Sequence, residues 1–184
     1  MNAANMALTG PTSMLGTGQL QIPRKQGGRV DHEPTEAQKA AGNYAKAHVK
    51  IHGLDISIEN KRGSTRSGKG KDGKTWSVKM PASYGYIRRS EGADGDHVDC
   101  YIGSHIKSPH VWVVDQVDAD SKRWDEHKCF IGFASEAQVR RVYTAAFSDG
   151  KGHRRIGSIR KITVDQFKNW LKEGDTTKPI ARAA

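Results

Sequence analysis

Ser83-Tyr-Gly-Tyr-Ile87 and, after a short polar spacer, Asp94-Gly-Asp-His-Val-Asp-Cys-Tyr-Ile-Gly103 decide how the chain is read. The first run and the segment from His97 to Gly103 have the length and β-forming residues of two strands, with an acidic turn between them. Asp94-Gly95-Asp96 by itself is an ordinary hairpin turn, and most such turns bind nothing. Asp99 changes that reading because it lies inside an apolar strand. Successive strand residues point to opposite faces, so Val98, Cys100 and Ile102 face inward while His97, Asp99 and Tyr101 share the other side. Three carboxylates within six residues repel one another unless a cation or a Lys and Arg cluster neutralises them. Hard oxygen donors of this kind suit magnesium, manganese or calcium. An EF-hand is excluded, because its fifth and twelfth loop positions hold Val98 and His105 instead of a ligand and a Glu.

Working outward, Leu54-Asp-Ile-Ser-Ile-Glu59 alternates apolar and polar as a half-buried strand does. The glycine- and lysine-rich stretch from Gly63 to Gly73 reads as a turn leading to Thr75 through Met80, a second strand that closes a hairpin with the first. His110 to Val117 and His127 to Gly132 form a further pair, joined by the polar loop Asp118 to Glu126. Three capping-box patterns announce helices: Thr35 to Gln38, Ser135 to Gln138 and Thr163 to Gln166. The first predicts a helix from about 36 to 51, ended by Gly53; the other two begin helices after residues 135 and 163, ended by Gly150 and Gly174. The expected fold class is α+β: a small antiparallel barrel of about six strands with one N-terminal and two C-terminal helices. Residues 1–33 read as a flexible basic arm, 34–175 as the barrel domain and 176–184 as a tail.

The chain of 184 residues carries 35% apolar and 27% charged residues, a globular composition. No apolar run approaches the ~20 residues that cross a bilayer, and the first residues lack the pattern of a signal peptide. These features read as those of a soluble protein of the cytoplasm. Cys100 and Cys129 are far apart and sit in apolar runs, so they read as buried thiols. The net charge of +10 points to a polyanionic partner. Its cations concentrate at Lys61, Arg62, Arg66, Lys69, Lys71, Lys74 and Lys79, and again at Lys151, Arg154, Arg155, Arg160 and Lys161, on either side of the acidic island. Nucleic acid is one such partner, although no aromatic residues are interleaved with these lysines to stack on bases.

Tyr84-Gly-Tyr-Ile87 followed by Asp94-Gly-Asp-His-Val-Asp99 resembles the signature of soluble family I inorganic pyrophosphatases, with His97 where that family has Pro. The wider pattern, including residues 53 to 60, 113 to 118 and 125 to 128, is similar to the divergent pyrophosphatase-like domain of bacteriophage and mobile-element proteins. It spans about residues 35 to 175. The resemblance implies a hydrolase of pyrophosphate or a related phosphoanhydride using two or more Mg2+ ions, or Mn2+. Asp94, Asp96 and Asp99 are the implied metal ligands, with Asp96 as the general base. Glu59, Asp118 and Asp125 are the further implied ligands, Asp115 and Glu126 being rivals for the last two places. Tyr84 and Lys128 are implied to contact phosphate and to take part in catalysis. No clear match exists for the family's late Tyr-Lys pair, for which Tyr143 or Lys151 are substitutes.

Arg62, Lys69 and Lys79, next in the chain to the acidic turn, are candidates to hold phosphate groups by charge. The alternative reading is a virion structural or adaptor protein that keeps the fold with little activity. Its partners would be virion proteins or further copies of itself, held through the arm.

Overall fold

The computed structural model describes residues 37–38, 45–70 and 73–180. The arm, most of the first expected helix and the last four residues lie outside them. Among the described residues there are nine strands: β1 (Ala47–Ile51), β2 (Leu54–Asn60), β3 (Thr65–Lys69), β4 (Thr75–Lys79), β5 (Ser83–Ile87), β6 (Asp99–Ile102), β7 (His110–Val117), β8 (Trp124–Ile131) and β9 (Ile156–Thr163). Helix α1 (Glu136–Ala145) and a short 3-10 turn (Gly152–Arg155) precede β9, and α2 (Val164–Glu173) follows it. No helix among the described residues is long and apolar enough to cross a membrane.

Ala37 and Gln38 are helical, but the helix expected to reach residue 51 does not extend that far. Ala47, Val49 and Ile51 are buried while His48 and Lys50 are exposed, a two-residue period that belongs to a strand. β1 turns into β2 at His52 and Gly53, both with positive φ, the twist that two-residue hairpins need. The expected pairing of β2 with Thr75–Met80 gives way to a different one. β2 pairs with β5, and β3 folds back on β4 as a separate two-stranded ribbon.

The other seven strands form one sheet in the order β1-β2-β5-β6-β8-β7-β9. β1 and β9 stand at its two ends, so the expected barrel is not closed, although the mixed α+β class holds. All neighbours in it are antiparallel except β6 and β8, which run parallel with Asp99 opposite Lys128 and Cys100 opposite Cys129.

Each face of the sheet carries its own core. On one face Ile56, Ile87, Cys100, Val113, Cys129 and Ile131 pack with Phe167 and Trp170 of α2. On the other, Tyr84, Tyr101, Trp112, Val114 and Phe130 pack with Val139 and Tyr143 of α1. Both helices start where their caps predict. The Thr163 hydroxyl accepts from Gln166 N–H and the Gln166 side chain returns to the Thr163 N–H. At α1 the Ser135 side chain accepts from Gln138 N–H, but the Gln138 side chain reaches the Ala134 N–H instead of closing the box. α2 stops at Gly174; α1 stops at Ala145, ahead of Gly150.

Candidate active site

Strand alternation carries Tyr84 and Tyr86 of β5, Asp99 and Tyr101 of β6, and Lys128 and Phe130 of β8 to the same face of the sheet. Register places Tyr86 beside Asp99 and Asp99 beside Lys128. β5 can approach β2 closely because position 85 is glycine. A Cβ there would stand 1.9 Å from the Ser57 carbonyl oxygen.

Asp99 is the hub. It accepts a hydrogen bond of 2.5 Å from the Tyr84 hydroxyl and an ion-paired one from Lys128 Nζ. Lys128 also lies 2.7 Å from Glu126 Oε2 and 3.4 Å from the Tyr84 hydroxyl. The Lys128 side chain is 10% exposed, against 23% for Asp99 and 26% for Glu126, so the cation is the more deeply set member.

Gln116 steadies the far side. Its Nε2 donates to Asp125 at 2.8 Å and to Glu126 at 2.9 Å, while its Oε1 accepts from the buried Tyr143 hydroxyl. Arg66 of β3 lies over the Trp76 and Tyr84 rings, 5.5 and 4.9 Å from their centroids. These groups surround a cleft of about 640 Å³ whose polar lining includes Arg66, Tyr84, Asp94, Asp99, Glu126 and Lys128. Phe147, Asp149 and Arg155, at the end of α1 and beyond, form the opposite wall, with Arg155 paired to Asp149 at 2.7 Å.

Charge states follow from burial and neighbours. Burial pulls the Lys128 ammonium down, but the Tyr84, Asp99 and Glu126 oxygens around it more than reverse this and hold it well above the ordinary lysine value. Burial pushes the Tyr84 hydroxyl well up and Tyr101 to about 12, with Lys128 opposing both. At neutral pH the cleft therefore holds a permanent cation and two phenols that keep their protons. Glu126 is raised by burial, against the pull of Lys128.

The other candidate residues divide by position. Asp94 lines the cleft, and its side chain accepts from the Asp96 N–H at 3.1 Å. Asp96 is exposed and outside the lining. Glu59 is paired with Lys46 at 2.9 Å, and Asp125 is held by Gln116. Asp118 is fully exposed and serves its own loop, where hydrogen bonds from Ser121 and Asp120 lower it to about 2. Asp115 is buried on the opposite face, bonded by Ser158 and the Ile180 N–H, with His127 in ion-pair contact at 3.2 Å without hydrogen-bond alignment.

Arg62 is exposed, with its backbone N–H on Ser83. Lys69 and Lys79 are exposed on the ribbon and are not among the residues that line the cleft, although Gly70 and Thr75 beside Lys69 are. Lys151 is exposed and Tyr143 is buried beneath Gln116. Gln116 and Trp76 were not singled out from the sequence, and Tyr101 only as sharing a strand face with Asp99.

As the side chains stand, no group of three or more His, Cys, Asp or Glu among the described residues is gathered closely enough to hold a metal ion. The Lys128 ammonium is instead the counter-charge shared by Asp99 and Glu126. The carboxylates that line the cleft, Asp94, Asp99, Glu126 and Asp149, are hard oxygen ligands of the kind a divalent cation takes.

A sequence model of a family described as Inorganic Pyrophosphatase matches residues 36–172. Among solved structures, the chain is similar to the crystal structure of an inorganic phosphatase from Anaplasma phagocytophilum. The identity is 13% and the TM-score 0.36, over 76% of this chain and 94% of that one, a likeness too distant to carry an argument. No curated protein matches the chain.

Proposed function

We infer that this chain, which belongs to the inorganic pyrophosphatase family, hydrolyses pyrophosphate or a related phosphoanhydride in the cleft around Asp99, with the help of divalent metal ions. The observation that carries the reading is the Asp99–Lys128 pair, set in register by two strands, with Tyr84 on Asp99 and Arg66 above it. A carboxylate and two cations in one cleft meet the needs of a polyanionic substrate: Lys128 and Arg66 attract its phosphoryl oxygens, and Asp99 serves the nucleophile or its metal.

In the reaction, water attacks one phosphorus, the bridging P–O bond breaks and two phosphates leave. Asp94, Asp99 and Glu126 are the residues we assign to hold Mg2+ or Mn2+. Bound there, the ion would lower the pKa of water and offset charge on the leaving phosphate. Lys128 would then face the substrate instead of balancing the carboxylates. Tyr84, which keeps its proton, acts as a hydrogen-bond donor and not as a base.

The test is phosphate release from pyrophosphate by the purified full chain with magnesium, with excess chelator, and in Asp99→Asn. Activity should require magnesium and fall at least ~100-fold in the variant, the scale of losing one group that acts on the transition state. Equal release by wild type and Asp99→Asn would rule the assignment out.

A further inference from the structure

Between Asn60 and Ser90 the chain has nine Lys and Arg residues and a single acid, Asp72. The cleft uses Arg66, yet most of these cations point elsewhere. The β3–β4 ribbon explains the division. In both strands alternate residues are exposed, and the register sets Thr65 opposite Lys79, Ser67 opposite Ser77 and Lys69 opposite Thr75. Every residue on the outer face is therefore a lysine or a hydroxyl. The inner face carries Arg66, Gly68, Trp76 and Val78, and a Cβ at Gly68 would meet the Trp76 ring at 2.7 Å, so the ring lies against the ribbon's inner side.

The outer face has no carboxylate and no apolar side chain. Lys69 and Lys79 occupy diagonally opposite corners, about 14 Å apart at ~3.4 Å of rise per residue. Neither forms an ion pair with another described residue.

We propose that this outer face binds the sugar-phosphate backbone of a nucleic acid, independently of hydrolysis in the cleft. Two cations at that separation can meet different phosphates of one strand. The hydroxyls of Thr65, Ser67 and Ser77 are donors of the kind that contact phosphate oxygens without reading sequence, while Thr75, at the end of the ribbon beside Lys69, borders the cleft. An anionic membrane is the less suitable partner, because the face offers no aromatic or aliphatic side chain to enter the lipid interface. With no exposed aromatic on this face, base stacking plays no part and binding is indifferent to sequence.

The experiment is fluorescence anisotropy of a labelled mixed-sequence single-stranded oligonucleotide with the full chain, across a series of KCl concentrations. Lys69→Gln/Lys79→Gln is compared with Lys69→Arg/Lys79→Arg and with Lys107→Gln/Arg141→Gln, which removes two exposed charges elsewhere. The Gln ribbon pair should lose at least ~10-fold in affinity at low salt, and the salt slope should shrink by about 1.4, two single-strand phosphate contacts. The Arg pair and the distant pair should stay within about threefold of wild type, a spread the salt slope makes easy to resolve. An equal loss in the distant pair would mean net charge alone is responsible and would overturn the proposal. So would unchanged binding in the Gln ribbon pair, or a dependence on Lys69 and Lys79 seen only with phosphatidylglycerol vesicles.

Discussion

Replacing Lys128 by Met keeps the aliphatic stem that packs near Tyr84 and deletes the ammonium. Asp99 and Glu126, at 23% and 26% exposure, are then left facing each other with no cation between them. Removing one partner of a buried ion pair costs ~3–5 kcal/mol, since the remaining charge is uncompensated. Partial exposure of both carboxylates lets water recover some of that, which places the expectation at ~3 kcal/mol. With a urea m-value of ~2 kcal/mol/M, the midpoint of unfolding falls by ~1.5 M at pH 7.5.

The sign of the pH dependence separates charge from packing. The deficit exists only while the carboxylates are ionised. Burial raises Glu126 and Lys128 pulls it back, so losing the cation raises it further; the deficit is complete above the Glu126 folded-state titration and closes as pH falls through it toward the unfolded value of ~4.3. Urea unfolding of wild type and Lys128→Met at pH 7.5 and pH 4 is the assay. A midpoint difference that is the same at both pH values would show that Lys128 matters through its packing, and the electrostatic account of the cleft would fall.

Glu126 gives the hydrolysis an acid limb. Burial raises it above the ordinary carboxylate range, so it should lose its charge, and the cleft its activity, at a pH above ~4.3. In a pH profile of kcat/KM, Glu126→Gln should lack that limb; an identical limb in the variant would exclude Glu126 as its source. At Gly85 the new methyl of an alanine would meet the Ser57 carbonyl at 1.9 Å, with backbone on both sides of the clash. Gly85→Ala should cost over ~4 kcal/mol or prevent folding, the range reserved for overpacking where nothing can yield, and near-native thermal unfolding would contradict the β2–β5 geometry.

The parts of the fold written in local periodicity were legible. Val98, Cys100 and Ile102 set the face of β6, and with it the side on which Asp99 stands; Thr163 and Gln166 capped α2 as their spacing implies. β1 was hidden because Ala47 to Ile51 follows an alanine-rich, helix-like segment, and five alternating residues do not override that pattern locally. β3 has no apolar residue in Thr65-Arg-Ser-Gly-Lys69, so nothing in its sequence marks a buried side. β9 is interrupted by Gly157 and Arg160-Lys161, and it becomes a strand by pairing with β7. Lys128 was placed through resemblance. Its partnership with Glu126 rather than Asp125, and the bridge made by Gln116, come from strand register, which a single sequence does not display. Lys69 and Lys79 looked like neighbours of the acidic turn; the separate ribbon turns them outward.

The parallel pairing of β6 with β8 has a kinetic consequence. Asp99 and Lys128 are 29 residues apart, whereas β1–β2 turns over only His52 and Gly53. Contacts across longer loops carry more closure entropy, and parallel pairs belong to the slow events of folding. A partly folded chain therefore holds Asp94, Asp96 and Asp99 without Lys128, with Arg88 and Arg89 the nearest cations along the chain. The ionic medium that screens these unpaired charges then bears on how fast the chain matures as well as on what the finished cleft can do.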